Sequence, residues 1–431
     1  ANFAKAADYY VAVNGSDSNP GTISQPWRNI SYATCAGSYL CPIQTTNANK
    51  LKAGDTLYIR GGTYNEFRIR FTNSGNSGAL ITVKNYSGET AVVDGDGGTF
   101  ATFDIDNVSY ILIDGLTIKR GLGSNILIGY NYGLTSYITI QNCDIKEYYY
   151  SDNSANIYLN SLSDNVMIKN NTIHDGLNIP STHNNGAGII IFNAGPVNIS
   201  NNEIYATGHG IYYKHSTAID GPTIIENNLI YNQTGKGMTI SSHDVTIRNN
   251  VVYNVSNAAI VIWESSAVCT SLVSDHDQII HNTFLDSEIL LNRDNLCVGA
   301  VDTVVKDNLI YNFTGNEMRG FAVYPNYSTD SSNTTFDHNL IYSSLFSSPI
   351  RVLGSYYTTA TAPLTGTGNI QSAPTFIDYN GNNFTLASGS AGKNAASDGA
   401  DIGANVSFVG INAGQITDTT PPSAPAGLMV Q

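Results

Sequence analysis

Charge is scarce in this chain. Only 13% of its 431 residues are Asp, Glu, Lys or Arg, and the net charge is −14. So few cations argue against nucleic acid or an anionic membrane surface as a partner. They leave room for an anionic polysaccharide if positive charge is gathered locally. No run is long and apolar enough to span a bilayer. No signal peptide is visible, and Ala1 reads as a mature or trimmed start. HExxH, paired CxxC and EF-hand patterns are absent, so no motif announces a metal. Helical spacing of apolar residues is also missing from the repeats described next.

What the chain has instead is one phrase, repeated. It reads Ile168-Lys169-Asn170-Asn171-Thr172-Ile173, then Ile199-Ser200-Asn201-Asn202-Glu203-Ile204. It returns as Ile225-Glu226-Asn227-Asn228-Leu229-Ile230 and Ile247-Arg248-Asn249-Asn250-Val251-Val252. Looser copies end in Asn282, Asn308 and Asn339, and an earlier one puts Cys143 at the ladder position. A self-similar period of this size marks a solenoid. The repeats are rich in Ile, Val, Tyr and Thr with alternating apolar residues, which selects strands. Stacked Asn side chains can donate to one neighbour and accept from the other, satisfying a buried bend at every level. The fold class expected is all-β, a right-handed parallel β-helix. Residues 1–415 form it, with a short capping helix between 28 and 50. Residues 416–431, rich in Pro and Thr, read as a linker toward a further module of fibronectin type III kind.

Five cysteines favour an oxidising compartment. Cys35 and Cys41 can close a small loop, and Cys269 with Cys297 can bridge adjacent coils. Cys143 is left as a buried free thiol. A secreted protein is expected.

The strand after each Asn phrase can be aligned coil by coil, from Asn156-Ile157-Tyr158-Leu159-Asn160 through Gly210-Ile211-Tyr212-Tyr213-Lys214 to Gly320-Phe321-Ala322-Val323-Tyr324. Period two sends the second and fourth members inward and the third and fifth to solvent. One outward column contains Tyr158, Tyr212 and Thr239. The next contains Asn160, Lys214, Trp263 and Tyr324. The residues just before the strands add His209, Lys236 and Arg319. His209, Lys214 and Lys236 therefore converge, with His215 alongside, while Arg293 and Arg319 extend the positive character. His174 and His183 read as loop and turn residues.

A lysine crowded by cations is held partly deprotonated and can act as a base. Cleavage of a uronate chain by β-elimination needs such a base for the C5 proton. It also needs an acid for the leaving O4 and positive groups against the carboxylate. Lys214 is the candidate base, Tyr212 the acid or assistant, and His209 with Lys236 the neutralisers. Asn185 can assist in neutralising. Tyr158, Trp263 and Tyr324 are candidate sugar platforms, and Asn160, His215, Arg293 and Arg319 further substrate-binding residues. A glycoside hydrolase acting on an acidic or sulfated glycan is the main rival, and it needs two facing carboxylates. The columns from residue 155 to 324 contain none, and Asp220, Glu264 and Asp294 lie at strand ends or in loops. A uronate C5-epimerase, which shares the proton abstraction, and a non-catalytic carbohydrate-binding solenoid also compete with the lyase reading.

The opening run Tyr9-Tyr10-Val11-Ala12-Val13-Asn14-Gly15-Ser16-Asp17, followed by Asn19-Pro20-Gly21-Thr22, resembles that of secreted bacterial β-helix proteins, among them pectate lyases of polysaccharide lyase family nine. His209 to Ser216 with Gly235-Lys236-Gly237-Met238 resembles the catalytic coils of β-helix lyases, including the alginate lyases of family six. The resemblance implies a base at Lys214. It also implies a calcium ligand where this chain has His209 and an arginine where it has Asn232. Neither matches, and the coil above carries His183-Asn184-Asn185-Gly186 in place of calcium-binding aspartates. The expected substrate is an acidic polysaccharide, alginate before pectate, acted on by a monomer. Calcium stays open, and no other cofactor or partner is implied.

Overall fold

The computed structural model describes residues 6–35, 51–149, 153–177, 185–214, 222–262, 276–291, 302–315, 319–323 and 334–411. Three long parallel sheets run the length of the molecule and meet along the turns of one β-helix. Each coil contributes one strand to each sheet. In one central coil these are Val197–Ser200, Glu203–Tyr205 and His209–Lys214. Ile199, Ile204, Ile211 and Tyr213 point into the shared core, as alternation requires.

The bend between the first two sheets explains why asparagine occurs twice in each phrase. The first Asn of the pair takes the left-handed conformation, with φ of 54° at Asn170, 56° at Asn201, 58° at Asn227 and 53° at Asn249. Asn tolerates this region better than most residues with a Cβ. The second Asn turns inward. Asn202 Nδ2 donates to Asn228 Oδ1 at 3.0 Å, and Asn228 Nδ2 to Asn250 Oδ1 at 2.9 Å. The ladder continues through Asn282, Asn308 and Asn339 to Asn369, one rung beyond the expected end.

Cys143 occupies the next rung above Asn171 and is a free, buried thiol. Its N–H donates to Asn171 Oδ1 at 2.9 Å, and its thiol donates to the Gln141 carbonyl at 3.1 Å. Burial pushes the thiol up to about 12. Cys143 is therefore expected to resist alkylation at pH 8 in the folded protein and to react once the chain is unfolded in urea, read by mass spectrometry of its peptide. Cys35 is disulfide-bonded. Cys41, Cys269, Cys297 and the linker 416–431 lie outside the described residues.

The short helix Ile30–Thr34 sits where a cap was expected. Buried Glu66 accepts the Ile30 and Ser31 N–H groups at its first turn, at 2.8 and 2.9 Å. At the other end the chain folds back. Phe384, Leu386, Ala396 and Ile402 pack on Val251, Leu285, Leu309 and Leu340 of the second sheet. The outer face of that sheet also carries a ring stack, His174 on Tyr205 at 4.7 Å, Tyr205 on Tyr231 and Tyr231 on Tyr253 at 5.1 Å each.

His174 is a correction to the sequence reading. It lies within the strand Thr172–Leu177 and not in a turn. Its Nε2 is 2.8 Å from Asp144 and its Nδ1 2.9 Å from Asp175. Burial opposes its charge, but hydrogen bonds to the two carboxylates outweigh this and raise its pKa. Burial likewise works against the Asp144 carboxylate, while His174 and Lys146 bring its pKa down. A raised histidine contributes stability that is complete below its unfolded pKa and is lost as pH climbs through the folded value. The lowered carboxylate contributes above its own unfolded pKa and fades as pH falls through its folded value. His174→Gln is therefore expected to lower the urea midpoint more at pH 5.5 than at pH 9, measured by circular dichroism. His183 lies outside the described residues.

Candidate functional site

The third sheet carries the candidate site residues His209, Tyr212 and Lys214. Its register joins Tyr158, Ile190, Tyr212, Thr239, Val261, Leu290 and Ala322 into one outward column. The coil alignment anticipates this order residue by residue. Solvent exposure is where it fails. Ile190, Tyr212, Thr239, Val261, Leu290 and Ala322 are all buried, and so are Lys214 and Ser241 in the next column. A second apolar layer forms outside the sheet, with Ala155, Ala187, Ile190 and Tyr212 packed against Tyr158 and Phe192. Period two tells which side of a sheet a residue takes. It is silent on whether further chain covers that side.

Lys214 ends the strand His209–Lys214. Its amine lies over the Tyr212 ring, 4.3 Å from the centroid, and donates to Asn153 Oδ1. Asn153 belongs to the turn before the strand Ala155–Leu159, two coils away. The His209 ring is 4.9 Å from the same Tyr212 ring, and its Nδ1 lies 3.3 Å from Thr239 Oγ1. Two of the candidate residues from the sequence, Lys214 and His209, are thus brought together around a third, Tyr212.

The other expected residues are placed as follows. Half-buried Lys236 lies one coil below His209, its carbonyl accepting from Gly210 N–H at 3.1 Å. Asn185 is half-buried just ahead of the strand Ala187–Phe192. Asn160 turns its oxygen to Ser161, accepting from the N–H at 2.7 Å and from the hydroxyl at 3.1 Å, so it shapes a turn. Arg319 is stacked between Phe346 and Tyr356, at 3.9 and 4.5 Å from their centroids. Four coils separate it from His209, roughly 19 Å at about 4.8 Å per coil, so it is not part of the Lys214 cluster. His215, Trp263, Arg293 and Tyr324 lie outside the described residues, as do the carboxylates Asp220, Glu264 and Asp294.

Two features of this face are not announced by the Asn phrases. The first is a cleft of about 250 Å³ lined by Phe100, Leu122, Leu127, Tyr130, Asn153 and Tyr158. Burial, then the neighbouring Tyr130, pushes the Tyr158 hydroxyl up to about 12. The second lies higher in the same column, where Tyr158 pairs with Leu127 and Leu127 with Asp104. Asp104 accepts from Arg70 at 2.7 Å, and Asp106 accepts from the Asn131 and Tyr132 N–H groups at 2.9 and 3.0 Å. The column therefore does contain a carboxylate, above the coils that carry the Asn phrase. The signal that finds it is period two itself, extended upward past those phrases.

Among the described residues no group of three or more His, Cys, Asp or Glu is placed to hold a metal ion.

Two family descriptions match. Residues 9–199 match "Pel9A-like, right handed beta helix region", and residues 112–312 match "Periplasmic copper-binding protein (NosD)". An uncharacterized protein, YwoF, of Bacillus subtilis (strain 168) is 34% identical over 156 residues, covering 34% of this chain and 30% of that protein. Pectate lyase PEL9 of Emericella nidulans is 36% identical over 107 residues, covering 24% and 23%. The matched segments thus span less than a third of either relative. Among solved structures, pectate lyase Pel9A superposes with a TM-score of 0.54 at 16% identity, covering 93% of this chain and 96% of that one. The complex of XylC with xylose gives 0.50 at 13% identity, covering 80% and 86%. The chain is a right-handed parallel β-helix that resembles polysaccharide lyases of this fold.

Proposed function

We propose that the face around Lys214 cleaves a uronate-containing polysaccharide by β-elimination. The observation that carries this reading is the lysine amine held between the Tyr212 ring and the amide of Asn153, which itself lines a cleft. The Lys214 amine takes the C5 proton. The electron pair of that bond forms the C4–C5 double bond, and the bond from C4 to O4 breaks. The Tyr212 hydroxyl gives its proton to the departing O4. His209 and Lys236 face the uronate carboxylate, whose negative charge grows as C5 is deprotonated.

The match to the Pel9A-like family and to pectate lyase PEL9 supports a carbohydrate substrate and weighs toward pectate. The resemblance of residues 209–216 and 235–238 to the catalytic coils of β-helix lyases, alginate lyases among them, keeps alginate as the other candidate. Both polymers belong in the first test. The NosD and pectate lyase matches also support an extracellular or periplasmic location. No helix among the described residues is long and apolar enough to cross a membrane.

The hydrolase reading gains one carboxylate pair, Asp104 and Asp106. Each has one oxygen engaged by Arg70 or backbone N–H groups and the other enclosed, away from solvent. Neither is poised to reach a glycosidic bond. Product masses separate the two chemistries. Elimination gives a fragment one water lighter than hydrolysis does. Products that all carry the full added water would overturn the lyase reading.

A further inference from the structure

We infer that the cleft between Phe100, Leu122, Leu127, Tyr130 and Tyr158 is a subsite for one pyranosyl residue of the polysaccharide, beginning two coils toward the amino terminus from Lys214, so that the sugar chain lies along the helix axis. This rests on the proposed reaction at Lys214 and adds the direction and extent of substrate binding.

The first observation is the register. Tyr158, Ile190 and Tyr212 are successive members of one outward column. The cleft begins at Tyr158, two coil steps or about 9.6 Å from Tyr212 at about 4.8 Å each, and continues to Leu127 one coil further, a span of about two to three linked sugar rings. The second is the lining. Phe100 and Tyr130 meet edge to face, with centroids 6.3 Å apart and planes at 65°. Arg68 lies over the Phe100 ring at 4.8 Å and holds it in place. Tyr130 and Leu122 are 43% and 47% exposed, which leaves apolar surface open above a fixed floor. Aromatic faces of this kind take the C–H face of a sugar ring. The third is size. At about 250 Å³ the cleft is smaller than sites enclosing drug-sized ligands, about 300–1,000 Å³. It suits one ring, with the rest of the chain running on across the sheet. The fourth is continuity. Asn153 lines the cleft and accepts from the Lys214 amine, so one side chain joins the subsite to the candidate base.

The test uses the full chain and hexauronate prepared from whichever polymer the wild type cleaves, or from pectate and alginate in parallel if it cleaves neither. Binding is measured by calorimetry on a Lys214→Ala background. Tyr130→Ala is expected to weaken hexauronate binding about tenfold, the loss of one ring stacking contact. Tyr130→Phe, which keeps the ring, is expected to bind within about twofold of the parent. In the otherwise wild-type enzyme, Tyr130→Ala should lower kcat/KM for the hexamer and leave the shortest cleaved oligomer unaffected. Unchanged hexauronate affinity in Tyr130→Ala, or an equal loss at every chain length, would overturn the subsite. The two readings fail separately. Tyr130-dependent binding without any unsaturated product retains the subsite and sinks the lyase. Unsaturated product with Tyr130-independent binding does the reverse.

Discussion

Lys214→Ala is expected to lower turnover of a uronate polymer by a factor of about 10³, within the range for losing a positioned proton-transfer group. Binding of the polymer is expected to persist, because the cleft side chains other than Asn153 do not depend on the lysine. Lys214→Arg should be nearly as inactive. A guanidinium stays protonated at any working pH and cannot accept the C5 proton. The pair of variants distinguishes a base from a charge clamp, since a clamp would be partly restored by arginine. The lysine amine is buried against Tyr212 and Asn153, so either variant should also be checked for an unchanged urea midpoint.

The second large effect lies in the ladder. Asn228→Leu is expected to destabilise the fold by about 3 kcal/mol, since each buried polar group left unsatisfied costs about 1–3 kcal/mol. The Asn228 oxygen accepts from the Asn202 N–H and amide, both at 3.0 Å. Its amide donates to the Ile199 carbonyl at 2.9 Å, the Glu226 carbonyl at 3.0 Å and Asn250 Oδ1 at 2.9 Å. Leucine fills the space and satisfies none of them. Asn170→Gly is the contrasting case. Asn170 is the first asparagine of its pair, with φ of 54° and no such role in the ladder. Glycine adopts that conformation freely, so a change within about 0.5 kcal/mol is expected. Urea denaturation of both variants would separate the two jobs that one dipeptide performs.

Those two jobs mark what the sequence makes legible. A repeating Asn pair reveals the ladder, the parallel sheets and the coil-to-coil register. The pairing of Ile190 with Tyr212 and of Tyr212 with Thr239 follows the alignment directly. The direction of each side chain follows too, since Ile211 and Tyr213 join the core and Lys214 does not. Three things cannot be read this way. Cover over the outer face depends on chain that leaves the coils, and alternation carries no information about it. The link from Asn153 to Lys214 spans 61 residues and obeys no period. The return of residues 384–402 across the second sheet is likewise a long-range packing event, driven by the apolar face that Val251, Leu285, Leu309 and Leu340 leave open. His174 misleads for a local reason. A histidine followed by Asp-Gly looks like a turn, yet its strand continues through both residues.

The most direct test is the ultraviolet absorbance of the unsaturated uronate product, followed over pectate, alginate, glycosaminoglycans and ulvan, each with and without chelator, for wild type and Lys214→Ala. The account predicts a steady rise on one uronate polymer that survives chelation and disappears in Lys214→Ala. No rise on any polymer, or an equal rise in Lys214→Ala, would contradict it.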